Sequence, residues 1–423
     1  MKYGTIGIEN SPRRKATLGS YLVGVYLFSV PTFSYAIDLE LNYIPQCLGI
    51  MVGLYAVLDV IRSRKVNIPA EIRLYGFFVF WLVITTLLVG NGNNYEALLT
   101  SVKVGLIVLC VTQLIKNDRD FKNILFIYGT SILFVAYLNY ETLLYLRSAI
   151  RITEMDRFDG TLANANTAAI YAITVLWVSF TLIFNKKTGN IIKLLCIAFA
   201  SIALFMTYFS GSLKGMIGIA LFAISAVWTF YKKYERSLGK RVLIGIAGFG
   251  FVVATLYLIY KSPFFFRLER IILFTDTGSP GERLYLFTTA IDVWFKNFIS
   301  IFVGIGHDNF RDYNNLCTYS HSTISEVLVS AGVIGFALYF GAFILLLKKL
   351  YIQSKISFSK IQSTQIFSCF FFLLILLFFN ATAVLYSSRE LWPLIGIIAS
   401  YSHFLRKERI IIIKEMEAVS STT

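Results

Sequence analysis

Residues 279–336 read SPGERLYLFTTAIDVWFKNFISIFVGIGHDNFRDYNNLCTYSHSTISEVLVSAGVIGF. This stretch begins as a polar segment with charged, amide and hydroxyl side chains, and it ends in an apolar run. Nearly everywhere else the chain consists of apolar runs joined by short turns. A chain that gathers its polar residues in one segment between apolar runs indicates a membrane protein with a site at one face of the bilayer.

The composition of the whole chain supports this class. The chain of 423 residues is 57% hydrophobic and 15% charged, whereas soluble domains carry about 25% charged residues. Apolar runs of about 18 or more residues recur along its length, and each is long enough to cross roughly 30 Å of hydrocarbon. We therefore predict an all-α, polytopic membrane protein, with residues 1–423 as a single integral membrane domain.

Hydropathy predicts twelve transmembrane helices, at about 17–36, 43–61, 72–90, 97–115, 123–139, 166–185, 191–209, 215–231, 242–260, 324–347, 364–385 and 391–405. Lys and Arg residues concentrate on alternate connections, at 2–15, 62–65, 116–122, 186–187, 232–241, 348–360 and 406–414. The positive-inside rule places these connections, both termini and the tail 406–423 in the cytoplasm. The net charge of +15 is then an orientation signal rather than a sign of nucleic-acid binding.

The opposite, outer face receives short turns and two longer segments, 140–165 and the long loop 261–323, which contains the polar segment quoted above. A connection of this length is typical of a functional loop. Within it, residues 284–302 place apolar side chains at helical spacing, which predicts one amphipathic helix at the membrane interface. The polar end of the cytoplasmic tail, EMEAVSSTT, is predicted to be disordered.

Neither the cysteines nor the histidines form a known metal motif. Four of the five cysteines lie in apolar spans, and the three histidines (His307, His321 and His403) are far apart, with no HExxH pattern. No GxSxG, P-loop or Rossmann fingerprint is present either. We therefore predict no metal site and no cofactor, which leaves phosphate recognition by side chains at the membrane face.

Several basic residues on the outer face oppose the orientation rule, so each requires a local explanation. Some lie within a few residues of a span boundary, where they can face a central cavity and bind an anion such as phosphate. These are Arg157, Lys214, Arg283 and Arg389. Others are expected to form ordinary surface ion pairs with neighbouring acids. These are Arg147, Arg151, Arg267 and Arg311.

His321 stands between two serines, directly before an apolar run. An imidazole at this boundary is suited to act as a general base near neutral pH. The alternative is that Ser322 or Thr323 caps the helix and His321 only flanks it. Glu326 follows about one turn later, and it either orients His321 or holds an acceptor hydroxyl, because a carboxylate that faces lipid is costly. His307, within GIGHDN, is interpreted as part of a tight loop.

Five segments of the chain carry a resemblance. They are RFDGTLANANTAA (157–169), TYFSGSLKG (207–215), GERLYLFTTAIDVW (281–294), GIGHDNF (304–310) and HSTISEVLVSAGVIGF (321–336). In this order, with this number of spans, they resemble the superfamily of O-antigen ligases and Wzy-type O-antigen polymerases, which are bacterial membrane glycosyltransferases. The similarity covers most of the chain from about residue 150 onward, whereas the first 120 residues match only as generic apolar spans.

The resemblance implies a GT-C-like membrane fold in the bacterial inner membrane, with the active site facing the periplasm. It implies a glycan donor carried on undecaprenyl diphosphate, an acceptor that is a glycan or the lipid A core, and inverting transfer without metal or cofactor. Membrane lipid and other polysaccharide assembly proteins are the further expected partners.

Several residues of this chain match the family's functional positions. The family's histidine corresponds to His321, its arginines to Arg283 and Arg157, and its basic turn residue to Lys214, where arginine is common in the family. The expected catalytic residues are therefore His321, Glu326 and Arg283. The residues expected to bind the diphosphate are Arg157, Lys214, Arg283 and Arg389.

Three functions fit these observations. The first is a polymerase of O-antigen or capsule type, which the glutamate one turn after the histidine favours slightly. The second is an O-antigen ligase that transfers the glycan to the lipid A core. The third and weakest is a polysaccharide flippase or transporter. A transporter should place ionisable residues near the bilayer midplane. In this chain Lys103 is the clearest charge within a span, and the polar residues gather at one face instead.

Overall fold

The computed structural model describes residues 15–34, 41–90, 95–148, 164–185, 188–233, 279–356 and 360–420, with isolated positions at 158, 162, 239, 242, 246, 250, 253 and 257. Every regular element in this part of the chain is a helix, which confirms the all-α prediction. The helices before position 234 are α1 Leu18–Phe33, α2 Ile44–Ser63, α3 Ala70–Val89, α4 Tyr95–Leu114, α5 Asp118–Leu138, α6 Tyr140–Ser148, α7 Ala165–Ile183, α8 Asn190–Ser210 and α9 Leu213–Lys233. Those after position 278 are α10 Ser279–Trp294, α11 Phe298–Phe302, α12 Thr323–Ile356, α13 Lys360–Asn380 and α14 Leu391–Ser420, with a 3-10 turn at Asn309–Tyr313.

Eight of these helices are long and apolar enough to cross a membrane, and the shorter helix α1 and the Leu213–Thr229 part of α9 are apolar too. The described part of the chain is therefore that of a polytopic membrane protein, as predicted. Ten of the twelve predicted spans coincide with one of these helices. The span predicted at 391–405 lies on helix α14, which is not among them, and most of the span predicted at 242–260 lies outside the described residues. The total of twelve spans and the orientation of the termini stay predictions.

The core of the bundle lies around α7, whose side chains are buried along nearly its whole length. Trp177 of α7 stacks on Phe372 of α13, with ring centroids 4.1 Å apart. Tyr75 of α3 stacks in the same way on Trp392 of α14, at 3.5 Å. Because aromatic pairs contribute roughly 0.5–1.5 kcal/mol beyond their buried area, these contacts fix helices that are distant in sequence.

Hydrogen bonds between buried hydroxyl groups also join the helices. Ser131 of α5 and Tyr171 of α7 lie 2.7 Å apart through their hydroxyl oxygens, and Thr181 of α7 and Ser368 of α13 lie 2.9 Å apart. Small polar residues of this kind commonly hold helices together in lipid, where apolar burial alone gives little preference for one neighbour. These contacts place α7 in a fixed relation to both α5 and α13.

Helix α12 is interrupted at Gly332, where the prediction for 324–347 was one regular span. Gly332 has φ 62° and ψ −169°, and a Cβ at this position would lie 2.3 Å from the carbonyl carbon of Phe302. The end of α11 therefore packs directly on the backbone of α12, which only glycine permits. The interruption frees backbone carbonyls, and buried non-helical backbone in a membrane protein requires that such groups find partners.

The freed carbonyls of α12 are occupied by groups from other elements. The carbonyl of Val329 accepts the N–H of Ile305 at 2.8 Å, and the carbonyl of Ser330 accepts the N–H of Gly306 at 3.1 Å. The carbonyl of Ala331 accepts the indole N–H of a tryptophan in α3 at 2.9 Å. The loop after α11 is thus bonded to the interrupted helix.

The segment 284–302 forms two helices rather than the single amphipathic helix that its spacing predicts. The first helix, α10, ends at Trp294, and Asn297 caps α11: its side chain accepts the N–H of Ser300 at 2.8 Å, and the Ser300 hydroxyl accepts the N–H of Asn297 at 3.1 Å. A reciprocal capping box of this kind starts a new helix. The predicted disorder of the tail is also wrong as far as Ser420, because α14 continues to that residue. Glu, Lys, Met and Ala in this tail favour helix formation.

Polar contacts between elements gather at two ends of the bundle, and α12 runs from one end to the other. We name them the ion-pair end and the site end. The ion pairs of the first are Lys116–Asp59 and Lys349–Glu71, which join different elements, and Lys122–Asp118, which lies within α5. The site end contains the beginnings of α7, α9, α12 and α14, and it carries Lys214, His307 and His321.

Candidate functional site

His321 lies directly before α12, and hydrogen bonds hold its backbone on both sides. Its φ of 59° falls in the left-handed region, which residues other than glycine seldom adopt. On one side the backbone N–H of Ser320 donates to Oε2 of Glu326 at 2.8 Å. On the other side the N–H of Thr323 donates to the carbonyl of Ala383 at 3.0 Å. An unusual backbone conformation that neighbouring contacts enforce is a common feature of functional sites.

Glu326 acts on this backbone from inside the protein. The residue is 1% exposed, so its carboxylate does not face lipid. Its hydrogen bond goes to Ser320, the residue before His321, which links the carboxylate to the position of the histidine through the main chain. The hydroxyl of Ser325 donates to the hydroxyl of Ser320 at 3.0 Å and supports the same turn. Whether Glu326 takes part in catalysis stays a prediction.

The connecting segment 381–390, between α13 and α14, joins the elements of the site. The buried ammonium group of Lys214, at the start of α9, donates to the carbonyl of Thr382. The next carbonyl, that of Ala383, accepts the hydroxyl of Thr323 at 2.6 Å as well as its N–H. The hydroxyl oxygen of Thr323 in turn accepts the N–H of Leu385 at 2.9 Å. Two adjacent peptide carbonyls therefore hold Lys214 and the start of α12 close together.

The turn that carries Lys214 is itself fixed by small residues and hydrogen bonds. The hydroxyl of Ser212 donates to the side-chain oxygen of Asn166 at 2.8 Å, which ties the turn to the start of α7. Gly215 follows Lys214, and a Cβ there would lie 2.8 Å from the Cβ of Ala169. The absence of a side chain at position 215 thus lets α9 approach α7 closely, immediately beyond the lysine.

Arg283 comes to the site from α10, which packs on α12. The packed face of α10 consists of Leu286, Ala290 and Val293, which are buried with Phe310 and Val329. Arg283 lies one turn before this face, and its residue is exposed at the surface. The packing therefore carries a guanidinium group to the outer part of the site end.

The charges of Arg283 and Lys214 both act on His321. Burial is the main cause that lowers the pKa of His321 below its ordinary value, and the nearby charges of Arg283 and Lys214 lower the pKa further. A neighbouring cation disfavours the charged imidazolium, so His321 is neutral at pH 7. A neutral imidazole can accept a proton. The structure thus brings together three of the predicted site residues.

Arg389 lies at the end of the same connecting segment, beside α1. Its carbonyl accepts the hydroxyl of Tyr26 at 3.3 Å, and the residue is exposed. The neighbouring Glu390 accepts a hydrogen bond from the hydroxyl of Tyr128, and burial raises the pKa of Glu390 to about 8. Glu390 is therefore largely protonated at pH 7, and it supplies little negative charge for an ion pair with an arginine. A role of Arg389 in diphosphate binding stays a prediction.

Arg157 lies outside the described residues, so its predicted role stays a prediction as well. The residue after it, Phe158, is buried, and its N–H donates to the carbonyl of Phe209 at 3.1 Å. Phe209 is in the last turn of α8, just before the turn that carries Lys214. The chain at position 158 is thus adjacent to one wall of the site.

His307 is embedded in the protein and anchors the loop after α11. Its ring nitrogens lie 2.9 Å from the hydroxyl of Ser101 and 3.1 Å from that of Tyr386. Its backbone N–H donates to the hydroxyl of Thr86 at 2.9 Å. Burial lowers the pKa of His307 to about 4; a hydrogen bond with the backbone of Ala97 acts in the opposite direction. A buried, neutral histidine with these partners supports the interpretation of His307 as part of the loop structure.

The arginines expected to form ordinary ion pairs are only partly within the described residues. The Nε atom of Arg311 lies 2.9 Å from Oδ1 of Asp308, as the ion-pair interpretation predicts. Arg151 and Arg267, and the side chain of Arg147, lie outside what the structure describes. In the described part of the chain, no three His, Cys, Asp or Glu side chains are grouped so that they could hold a metal ion. The metal-free character of the site stays a prediction.

The sequence does not reveal the role of the connecting segment 381–390. Thr382 and Ala383 take part through backbone carbonyls, so no side-chain pattern marks them. The aromatic contact of Tyr319 with His321 was likewise not predicted, although the two residues are only two positions apart. Their spacing alone does not indicate a contact, because the left-handed backbone at His321 determines how the two rings meet.

One comparison with known proteins gives a match. Residues 195–340 match the family model described as O-antigen ligase (Wzy_C), a range that includes Lys214, Arg283, His321 and Glu326. No curated protein matches the chain. Together with the helical membrane fold, the match indicates a membrane glycosyltransferase of ligase or polymerase type that uses a lipid-linked glycan. The part of the chain at residues 195–340 is thus similar to the O-antigen ligase family.

Proposed function

We propose that this protein is a polysaccharide polymerase that transfers a glycan from undecaprenyl diphosphate to the hydroxyl group of an acceptor sugar. The reaction takes place at the periplasmic face of the bacterial inner membrane. The family match supports a glycosyltransferase of ligase or polymerase type. The observation that carries the proposed donor and mechanism is the convergence of Lys214 and Arg283 on His321, since two cations beside a neutral base suit a diphosphate donor.

His321 serves as the general base of this transfer. The acceptor oxygen forms a bond to the anomeric carbon of the donor while the bond from that carbon to the phosphate oxygen breaks. The proton of the acceptor hydroxyl goes to His321, and the diphosphate leaves with the bonding electron pair. Attack opposite to the leaving group inverts the anomeric centre. A positioned general base contributes typically about 10²–10⁴-fold to the rate.

Arg283 and Lys214 stabilise the departing diphosphate. Guanidinium groups bind phosphate oxygens through two parallel hydrogen bonds, and an ammonium group adds a point charge. Donors of this kind, fixed before the reaction begins, act most strongly where charge develops in the transition state. Arg157 and Arg389 complete the set in this proposal. Because side chains neutralise the leaving group, the transfer needs no divalent ion in principle.

Glu326 and the helices α10 and α11 have supporting roles. Glu326 fixes the backbone before His321, as its hydrogen bond to Ser320 suggests. The lipid tail of the donor lies between spans beside α10 and α11, which gate its entry. The large hydrophobic side chains that these helices expose are Leu284, Tyr285, Phe287, Phe298, Ile299 and Phe302.

The alternative is an O-antigen ligase, in which the acceptor is the lipid A core. The description of the matching family model names the ligase, but the match fits either enzyme. Both enzymes use the same donor and the same base, so the acceptor alone separates them. The ligase is therefore kept as the second candidate.

A deletion strain distinguishes the two enzymes through its lipopolysaccharide ladder. Loss of a polymerase leaves a core that carries a single repeat unit, whereas loss of a ligase leaves a bare core and accumulated lipid-linked polymer. An unchanged ladder and normal capsule would contradict both functions.

A second test reconstitutes the purified protein with a lipid-linked glycan donor. Lengthening of the glycan without lipid A core supports the polymerase, and no transfer in any mixture contradicts the proposal.

A further inference from the structure

The ring of Tyr319 lies directly against the imidazole of His321. The two ring centroids are 4.4 Å apart, and the ring planes form an angle of 61°. Both residues are partly buried. Edge-to-face contacts of this kind favour one mutual orientation of two rings over the alternatives. The contact therefore restricts rotation of the imidazole about its side-chain bonds.

Tyr319 is itself held by a second side chain. The guanidinium carbon of Arg311 lies 6.0 Å from the centroid of the Tyr319 ring, within the range of a cation–π contact. Arg311 is fixed in turn by its ion pair with Asp308, the residue after His307. Through Asp308, Arg311 and Tyr319, the loop at His307 is thus connected with the ring of His321.

We infer that Tyr319 is a positioning residue, whose ring sets the orientation of the His321 imidazole toward the acceptor hydroxyl. This inference rests on the proposed function, in which His321 is the general base. A base must bring one nitrogen to roughly 2.6–3.2 Å from the hydroxyl oxygen, so orientation matters as much as location. Glu326 and Thr323 fix the backbone around His321, and Tyr319 contacts the imidazole itself.

The contact involves the aromatic ring of Tyr319, so the ring and not the hydroxyl should matter. Tyr319→Phe keeps the ring and is expected to retain kcat within about twofold. Tyr319→Leu fills a similar space without an aromatic ring, and kcat should fall about 5- to 10-fold. KM should stay within about twofold in both variants, because an oriented base acts in the transition state and not in substrate binding.

Tyr313 provides a matched control in the same loop. Its residue is 39% exposed, and the ammonium group of Lys296 lies 5.6 Å from the centroid of its ring. Tyr313→Leu removes a tyrosine ring of equal size and leaves the contact with His321 intact. We expect kcat of this variant within about twofold of the unchanged protein. All variants are compared at equal amounts of monodisperse protein in detergent.

The experiment measures transfer from a lipid-linked glycan donor to an acceptor glycan over a range of donor concentrations. A loss of kcat in Tyr319→Leu with retention in Tyr319→Phe and Tyr313→Leu supports the inference. Equal kcat in Tyr319→Leu and Tyr319→Phe overturns it. If Tyr319→Leu does not fold, Arg311→Gln replaces it; a decrease in kcat of about 2- to 3-fold supports the inference and unchanged kcat overturns it. An inactive unchanged protein instead contradicts the proposed function.

Discussion

The ion-pair end and the site end of the bundle treat positive charge in different ways. At the ion-pair end, Lys349 lies 2.7 Å from the carboxylate of Glu71, so a negative group inside the protein compensates the ammonium charge. At the site end, Lys214 donates to the neutral carbonyl of Thr382, and its charge acts on His321 together with that of a second cation. The same residue type is thus paired with an acid at one end and with a neutral partner at the other.

This difference indicates at which end an anionic ligand should bind more tightly. Lys214 and Arg283 repel one another and act on a partly buried imidazole, which raises the electrostatic free energy of the site. An anion that binds at the site end reduces this repulsion, and its own binding becomes more favourable because of that. At the ion-pair end the carboxylates already provide this compensation, so an added anion gains little. Function should therefore respond to changes at the site end, and stability to changes at the ion-pair end.

Replacement of a histidine at each end tests whether the histidines of the two ends differ in function, and it should give the strongest loss of activity. His321→Ala removes the base and should lower kcat by about 10²–10⁴-fold, while the protein still inserts into the membrane. His403→Ala is the control near the ion-pair end, and it should leave kcat within about twofold. Both are measured as glycan transfer by purified protein. Near-normal product from His321→Ala would remove this residue from the mechanism.

The next effect concerns the guanidinium group at the site end. Arg283→Lys preserves the charge but not the planar fork, so kcat/KM should decrease about 10- to 100-fold if the diphosphate is bound through two oxygens. The matched control is Arg406→Lys, on the part of α14 beyond its apolar run, where the same exchange should change kcat/KM by less than about twofold. The donor concentration is varied in both assays. Full activity of Arg283→Lys would favour a surface ion pair instead.

A smaller effect, on stability alone, is expected at the ion-pair end. Lys349→Met leaves the carboxylate of Glu71 buried without its cation, which should reduce the free energy of unfolding by about 2–3 kcal/mol. The double variant Glu71→Leu with Lys349→Met should recover most of this loss, because no unpaired charge remains. Denaturant unfolding in detergent measures both. A change in kcat of the folded variants would contradict the separation between the two ends.

The smallest effect is a shift in the pH dependence of transfer. The base form of His321 is neutral, so kcat/KM should be high above its pKa and decrease as the pH falls through it. This pKa lies below the ordinary value of 6.5 because of burial and the two cations. Lys214→Gln removes one cation and should move the acid limb of the profile to higher pH by about 0.3–1 unit. Lys407→Gln at the other end should leave the limb unchanged, and equal shifts in both would refute the assignment.

Much of the fold could be predicted from the sequence because lipid imposes simple requirements on a spanning helix. Length and apolar composition located the helices. The orientation of the connections, which lysines and arginines indicate, stays a prediction. Residues at span boundaries could be selected as site candidates in the same way. His321 and Lys214 were selected for this reason, and in the structure the charge of Lys214 acts on His321.

The parts that could not be predicted depend on main-chain geometry. The interruption of α12 at Gly332 requires a φ of 62° and the close approach of α11, neither of which an apolar pattern records. The same holds for the split of 284–302, where a capping box at Asn297 overrides the apolar periodicity. The tail is polar, which is typical of disorder, but its residues also have high helix propensity, and the helix forms.

The adjacent carbonyls of residues 382 and 383 have a consequence for how this site can vary during evolution. Lys214 and Thr323 bond to these backbone oxygens, so the side chains at positions 382 and 383 can change without loss of either bond. A residue inserted between these two adjacent positions is not tolerated in the same way, since it would add about 3.3–3.6 Å of chain between the two carbonyls. Relatives should therefore differ in the residue types of this segment and agree in its length.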